Sequence, residues 1–265
     1  TPGEDSILIC PPTYGMYAIS AETCNIGVKK VPLKADFSLD VEGICSNDDV
    51  NVVFICAPNN PTGTQVAKQD LDAILRHFTD KALVVVDEAY IEFDADNTWA
   101  NKLADYPNLV ILRTLSKAFA LAGLRCGFTI ANDDVIAALM KVIAPYPIPD
   151  PVAQIAAEAL SKENIGRLHA QVDILNAEKA RLTEALSAFE EFEMVGDTKA
   201  NYVLFRYAGC KALMAYLVER GMLIRDQSKQ LNLENCLRVT IGSPEQDDRL
   251  LQLINDYFSQ TGASK

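Results

Sequence analysis

Three polar clusters in the first half of the sequence each follow an apolar run. They are Pro58-Asn59-Asn60-Pro61-Thr62-Gly63, Asp87-Glu88-Ala89-Tyr90 and Arg113-Thr114-Leu115-Ser116-Lys117, and Arg125 lies eight residues beyond the lysine. A lysine held at a sheet edge forms a Schiff base with an aldehyde once desolvation or a nearby cation lowers its pKa. An aspartate at a strand end can hold a protonated pyridine nitrogen and make the ring an electron sink. Tyrosine and asparagine can hydrogen-bond a phenolate oxygen. Serine and arginine can bind a phosphate, arginine by its planar fork.

The elements that must position these groups are visible in the hydropathy pattern. Ser6–Cys10, Val52–Ala57, Leu83–Val86, Leu109–Leu112 and Cys126–Ile130 read as strands, and their uninterrupted apolar character is that of strands covered on both faces. Helical patterns lie between them: Tyr14 to Glu22, the stripe Leu71, Ile74, Leu75 and Phe78, and a stretch capped by Asn132 with Val135, Ile136, Leu139, Met140 and Ile143 on one face. Alternating strands and helices predict an α/β domain with a mostly parallel sheet sandwiched by helices. In such sheets ligands bind beyond the carboxyl ends of the strands, which is where the polar clusters fall. A smaller C-terminal α+β domain follows. Prolines 145, 147, 149 and 151 predict an irregular crossing without helix, then a long helix carries Ile165, Leu168, Val172, Leu175, Leu182, Leu186 and Phe189. Beyond it come a strand at Tyr202–Arg206, a helix at Lys211–Arg220, strands near Leu223 and Leu237, and a last helix to Phe258. The division is expected at 1–165 and 166–265.

Composition narrows the function. The 265 residues carry a net charge of −12, which speaks against nucleic acid as the main partner. No apolar run approaches the roughly 20 residues that cross a bilayer, and Thr1-Pro2-Gly3-Glu4-Asp5 has no signal-peptide pattern, so a cytoplasmic protein is expected. Seven cysteines without a Cys-x-x-Cys pair read as reduced, buried thiols. With only His77 and His169, both expected at the surface of helices, no metal site is expected and a Ser-His-Asp triad is poorly supplied. Neither glycine-rich nucleotide loop is present. The donor set at the strand ends is the one that holds pyridoxal 5′-phosphate.

The same residues resemble the fold-type I, class-II aminotransferases that use this cofactor. The resemblance rests on Cys10-Pro11-Pro12-Thr13-Tyr14-Gly15-Met16-Tyr17, the asparagine cluster, Val86 to Phe93, and above all Arg113 to Phe119 running into Ala122 to Phe128. Asn201-Tyr202 and Leu237 to Gly242 extend it over nearly the whole chain. It implies that Lys117 binds the cofactor aldehyde and moves the substrate proton, that Asp87 partners the pyridine nitrogen, and that Tyr90 and Asn60 bond the ring oxygen. It implies further that Ser116 and Arg125 contact the phosphate and that Tyr14 stacks on the ring. Arg238 would take the anionic tail of the substrate, with Arg225 a second phosphate ligand; a salt bridge to Asp226 is the competing role for Arg225. The family pattern also implies a cis bond at Asn60-Pro61, and less strongly at Pro11-Pro12.

The implied reaction is amino transfer between histidinol phosphate and 2-oxoglutarate (glutamate), in histidine biosynthesis, by a homodimer. Rivals are an aromatic aminotransferase or a threonine-phosphate decarboxylase of the same fold, and a non-catalytic remnant. The family's upstream arm, its glycine-rich turn and the tyrosine offered across the dimer have no counterpart in this sequence. The expectation is therefore that the gene product is longer and that the chain alone binds the cofactor weakly or not at all and is poorly active.

Overall fold

A computed structural model describes residues 1–261. Its larger sheet has six strands in the order β2-β1-β3-β4-β5-β6. These are β1 (Ser6–Ile9), β2 (Gly27–Lys30), β3 (Val52–Cys56), β4 (Leu83–Asp87), β5 (Leu109–Thr114) and β6 (Gly127–Ile130). The first five run parallel, and β6 pairs antiparallel with β5. The parallel sheet and its helices give the expected α/β class.

Helices α1 (Met16–Thr23), α2 (Val41–Cys45) and α3 (Lys68–His77) connect the parallel strands. α3 forms as its stripe dictates: Leu71, Ile74 and Leu75 are buried, with basic Arg76 and His77 in the last turn, where the helix dipole favours them. These side chains meet Leu8, Val53, Ile55, Val84, Val86, Leu109 and Ile111 in the main core. Burying an aliphatic side chain of this size is worth about 1.5–3 kcal/mol, so this cluster dominates the cohesion of the sheet.

α4 (Asp133–Met140) starts at the expected cap, with Asn132 Oδ1 accepting from Val135 N–H at 3.0 Å. None of its residues is buried, however, and β6 is exposed along its length. The stripe on α4 and the apolar run of β6 are therefore not core, contrary to a strand covered on both faces. The proline-rich crossing is also shorter than expected. α5 (Asp150–Ala159) begins there, with Pro151 in its first turn, a position where the missing N–H costs no hydrogen bond.

α6 (Lys162–Ser187) is the long helix, and residue 166 falls in its second turn. It leads to a four-stranded antiparallel sheet, β7-β8-β10-β9, made of β7 (Glu193–Met194), β8 (Tyr202–Arg206), β9 (Arg225–Asp226) and β10 (Cys236–Thr240). α7 (Cys210–Glu219) and α8 (Pro244–Thr261) complete this part. Its core joins Leu182 and Leu186 of α6 to Val203, Phe205, Leu213 and Ile254. A smaller cluster, Tyr90, Phe93, Ala118, Leu168, Val172, Ala200 and Tyr202, ties α6 and β8 to the ends of β4 and β5.

Two glycines fasten the second sheet to the asparagine loop. Gly63 (φ 66°) and Gly196 (φ 72°) let the two backbones approach, so that Asp197 N–H donates to Thr62 O at 2.9 Å and Lys199 N–H to Gly63 O at 3.1 Å. A Cβ on either glycine would collide with a backbone carbonyl of the other segment.

Candidate active site

A cavity of about 460 Å³ opens at the carboxyl ends of β3, β4 and β5. Tyr14, Asn60, Asp87, Tyr90, Ser116, Lys117 and Arg125 all line it, so seven of the nine residues singled out in the sequence come together. The other two, Arg238 and Arg225, stand on the second sheet.

Asp87 and Glu88 illustrate how the strand end sorts its side chains. Consecutive residues of a strand point to opposite faces. Asp87 turns to the cavity. Glu88, 1% exposed, turns away and binds Arg113 Nε at 2.8 Å and Trp99 N–H at 2.6 Å. Arg113 also reaches Glu92 and Thr98, which locks the segment after β4 to the end of β5.

Asp87 is 8% exposed. Its Oδ2 accepts from Tyr17 Oη at 2.6 Å and its Oδ1 from Ala89 N–H at 3.0 Å. Burial raises its pKa, opposed by those two hydrogen bonds and by the charge of Lys117. Lys117 is half-buried, with Nζ 5.1 Å from the centre of the Tyr90 ring. Desolvation lowers its pKa, and the nearby guanidinium of Arg238 lowers it further. Burial also pushes the Tyr90 phenol up to about 12, so its hydroxyl is a donor at neutral pH.

Asn60 meets Arg238 across the two sheets: Arg238 Nη1 donates to Asn60 Oδ1 at 2.6 Å. The guanidinium lies 4.6 Å from the centre of the Tyr202 ring, and its buried Nε has no hydrogen-bond partner among the described residues. Arg225 is directly opposite Arg238 in the β9–β10 register, so the two side chains leave the same face; Arg225 is exposed. Ser116 Oγ accepts from Thr114 Oγ1 at 2.9 Å. Arg125 is exposed, with left-handed backbone (φ 56°) and Nη1 bonded to Ala122 O at 2.8 Å. Tyr14 is 43% exposed at the cavity mouth and meets Tyr17 edge-on, ring centres 5.5 Å apart. The bonds at Asn60-Pro61 and Pro11-Pro12 are cis as expected, and so is Ala57-Pro58.

The donor set can be tested against pyridoxal 5′-phosphate. Each Asp87 oxygen has one fixed donor and a lone pair to spare, which suits a protonated ring nitrogen. With Asn60 Oδ1 taken by Arg238, the amide Nδ2 is left to donate. Tyr90 Oη has no hydrogen-bond partner among the described residues and is also left to donate. Asn60 and Tyr90 thus bring two unused donors to the cavity lining, as a ring oxygen would require, and Ser116 and Arg125 line the same cavity with groups suited to an anion. The residues fit the group.

Sequence reasoning passed over Tyr17, Thr114, Tyr202 and the Glu88–Arg113 pair. Tyr17 lies within the quoted Pro-Thr-Tyr-Gly-Met-Tyr run, three residues after Tyr14, but nothing in the spacing shows that its partner lies 70 residues on.

Comparison with known proteins shows the family and the fold. The family model "aminotransferase class I and II" matches residues 1–254. The chain is 63% identical over 260 residues to a histidinol-phosphate aminotransferase of Pseudoalteromonas atlantica, covering 98% of this chain and 70% of that protein. It is 50% identical over 251 residues to the protein of the same name from Yersinia pseudotuberculosis, covering 94% of this chain and 66% of that one. Its fold superposes with a TM-score of 0.90 on the crystal structure of the histidinol-phosphate aminotransferase from Clostridium acetobutylicum, at 26% identity, covering 97% of this chain and 78% of that one.

Proposed function

This chain belongs to the family of class I and II aminotransferases, and we propose that it transfers the amino group between histidinol phosphate and 2-oxoglutarate, as a histidinol-phosphate aminotransferase of histidine biosynthesis. Enzymes of this family work with pyridoxal 5′-phosphate. When bound, the cofactor supplies an aldehyde and an electron-withdrawing ring, which together allow a proton to leave the substrate's α-carbon.

The roles of the residues are part of the proposal. Asp87 holds the ring nitrogen, while Tyr90 Oη and Asn60 Nδ2 donate to the ring oxygen. Ser116 and Arg125 hold the phosphate, and Tyr14 covers the ring at the cavity mouth. Lys117 carries the reactive amine, and desolvation with the charge of Arg238 favours its unprotonated form, the form that takes up a substrate proton. Arg238 pairs with the anionic tail of each substrate in turn. Its fork suits the carboxylate of glutamate and also a phosphate monoester, and Arg225 on the same face adds a second cation for the dianion. The family further suggests a cytoplasmic homodimer. Among the described residues no helix is long and apolar enough to cross a membrane.

The observation that carries this reading is the convergence of Asp87, Tyr90, Asn60 and Lys117, from three strand ends, on one cavity. The test is a half-reaction, followed by the absorbance of the bound cofactor. Histidinol phosphate is expected to convert it faster than phenylalanine or threonine phosphate at equal concentration. Preference for phenylalanine, or release of carbon dioxide from threonine phosphate, would overturn the substrate assignment.

A further inference from the structure

We propose that Tyr17 is a positioning residue for Asp87, its buried hydroxyl holding the carboxylate as an anion in the one orientation that faces the cavity. This rests on the reading of Asp87 as partner of the ring nitrogen and adds a residue that reading does not use.

The geometry of the pair carries the inference. Tyr17 and Asp87 come from elements far apart in the chain, α1 and the end of β4, yet Oη and Oδ2 are 2.6 Å apart and both residues are buried. The Tyr17 ring has little freedom: it stacks on Phe54 of β3 at 4.8 Å between centres, 18° from parallel, and meets Tyr14 edge-on. Tyr17 therefore approaches Oδ2 while the local turn at Ala89 N–H holds Oδ1. Two fixed donors define the plane of the carboxylate and leave one lone pair on each oxygen.

The charges around Asp87 explain why a tyrosine serves. Burial favours the neutral carboxylic acid, which would offer a proton to the ring nitrogen where an acceptor is needed. The groups facing Asp87 are Tyr17 from α1, Cys56 opposite it on β3, and Lys117 from the segment after β5, with Tyr90 further along its own segment. Burial and the charge of Asp87 push the Cys56 thiol up to about 12, so it stays neutral and adds no second anion. Burial, with Cys56 and Asp87 alongside, likewise raises the Tyr17 phenol well above its ordinary value, so its hydroxyl keeps the proton it donates. Tyr17 is thus the side-chain donor bonded to Asp87 among the described residues, and its bond favours the anion.

The test uses the cofactor-free chain, so its result does not depend on whether the cofactor binds. The titration of the Asp87 carboxyl carbon is followed by NMR in the wild type and in Tyr17→Phe, which keeps the stacked ring. The midpoint is expected to rise by about one pH unit, tenfold in proton affinity. Replacing Tyr17 by 3-fluorotyrosine, a more acidic phenol of nearly the same shape, is expected to lower it and guards against a Phe variant that fails to fold. A midpoint unmoved in both would overturn the inference while leaving the cofactor reading standing. With cofactor, Tyr17→Phe is expected to weaken pyridoxal phosphate binding by about tenfold. Wild-type protein that takes up no pyridoxal phosphate overturns the cofactor reading, and with it the role of Tyr17 in serving the ring nitrogen.

Discussion

Arg238 and Asn60 are 178 residues apart in the chain and joined by a hydrogen bond of 2.6 Å. The bond spans the two sheets. It occupies the amide oxygen of Asn60, which leaves the amide nitrogen free to donate, and the cation of Arg238 is close enough to lower the pKa of Lys117. One guanidinium therefore influences both the Asn60 amide and the Lys117 amine.

Arg238→Gln tests that double influence. Loss of a charge-assisted pair costs about 1.5–3 kcal/mol, so KM for glutamate is expected to rise roughly ten- to a hundredfold. Removing a cation also makes protonation of Lys117 easier. The acidic limb of the pH–rate profile should then move to higher pH, in the direction opposite to the lowering seen with Arg238 in place. Steady-state kinetics across pH measures both effects together.

Gly63→Ala and Gly196→Ala test the fastening between the asparagine loop and the second sheet. Both residues have positive φ, and an added Cβ meets Asp197 O or Thr62 O, carbonyls that cannot swing aside without breaking the cross-link. Each substitution is expected to destabilise the fold by about 2–4 kcal/mol, read as a lower urea midpoint. Gly166→Ala, on α6 with open space at its Cβ, should leave the midpoint unchanged or raise it slightly.

Asp247 gives the fold a pH dependence. Its carboxyl accepts from Gly242 N–H at 3.1 Å and lies beside Glu178, and burial followed by the neighbouring acid raises its pKa to about 6. A carboxyl whose folded pKa exceeds the unfolded value of about 3.9 binds its proton more tightly when folded. Its contribution is therefore complete below that value and lost as pH rises through about 6. Solvent reaches the adjacent Arg181–Asp248 pair, so the effect is put at about 1–2 kcal/mol rather than the full linkage value. Asp247→Asn keeps an acceptor for Gly242. It should remove this decline, which thermal denaturation of the wild type is expected to reveal between about pH 4 and pH 7.

Much of this molecule can be read in its sequence where burial imposes a simple pattern. β3 and β4 are central parallel strands covered on both faces, so their apolar runs are uninterrupted and their ends mark the cavity directly. β2, Gly27-Val28-Lys29-Lys30, escapes detection because it is a short edge strand without apolar alternation, and the two-residue β7 gives no periodic signal at all. α4 misleads in the other direction. Its stripe is regular, but periodicity reports which residues share a face, not what covers that face, and none of its residues is buried. The cavity residues were legible through motif resemblance. Tyr17–Asp87 and Tyr202 Oη to Asn59 O, at 2.7 Å, depend on distances between remote segments that a linear pattern does not encode.

The central claim is that one amine, Lys117 Nζ beside Tyr90 and Asp87, captures the cofactor aldehyde. It is tested most directly by incubating the chain with pyridoxal phosphate, reducing with borohydride and mapping the labelled peptide by mass spectrometry. The account predicts one saturable label per chain, on Lys117, lost in Lys117→Ala. Saturable labelling of any other lysine, or none at Lys117, would contradict it.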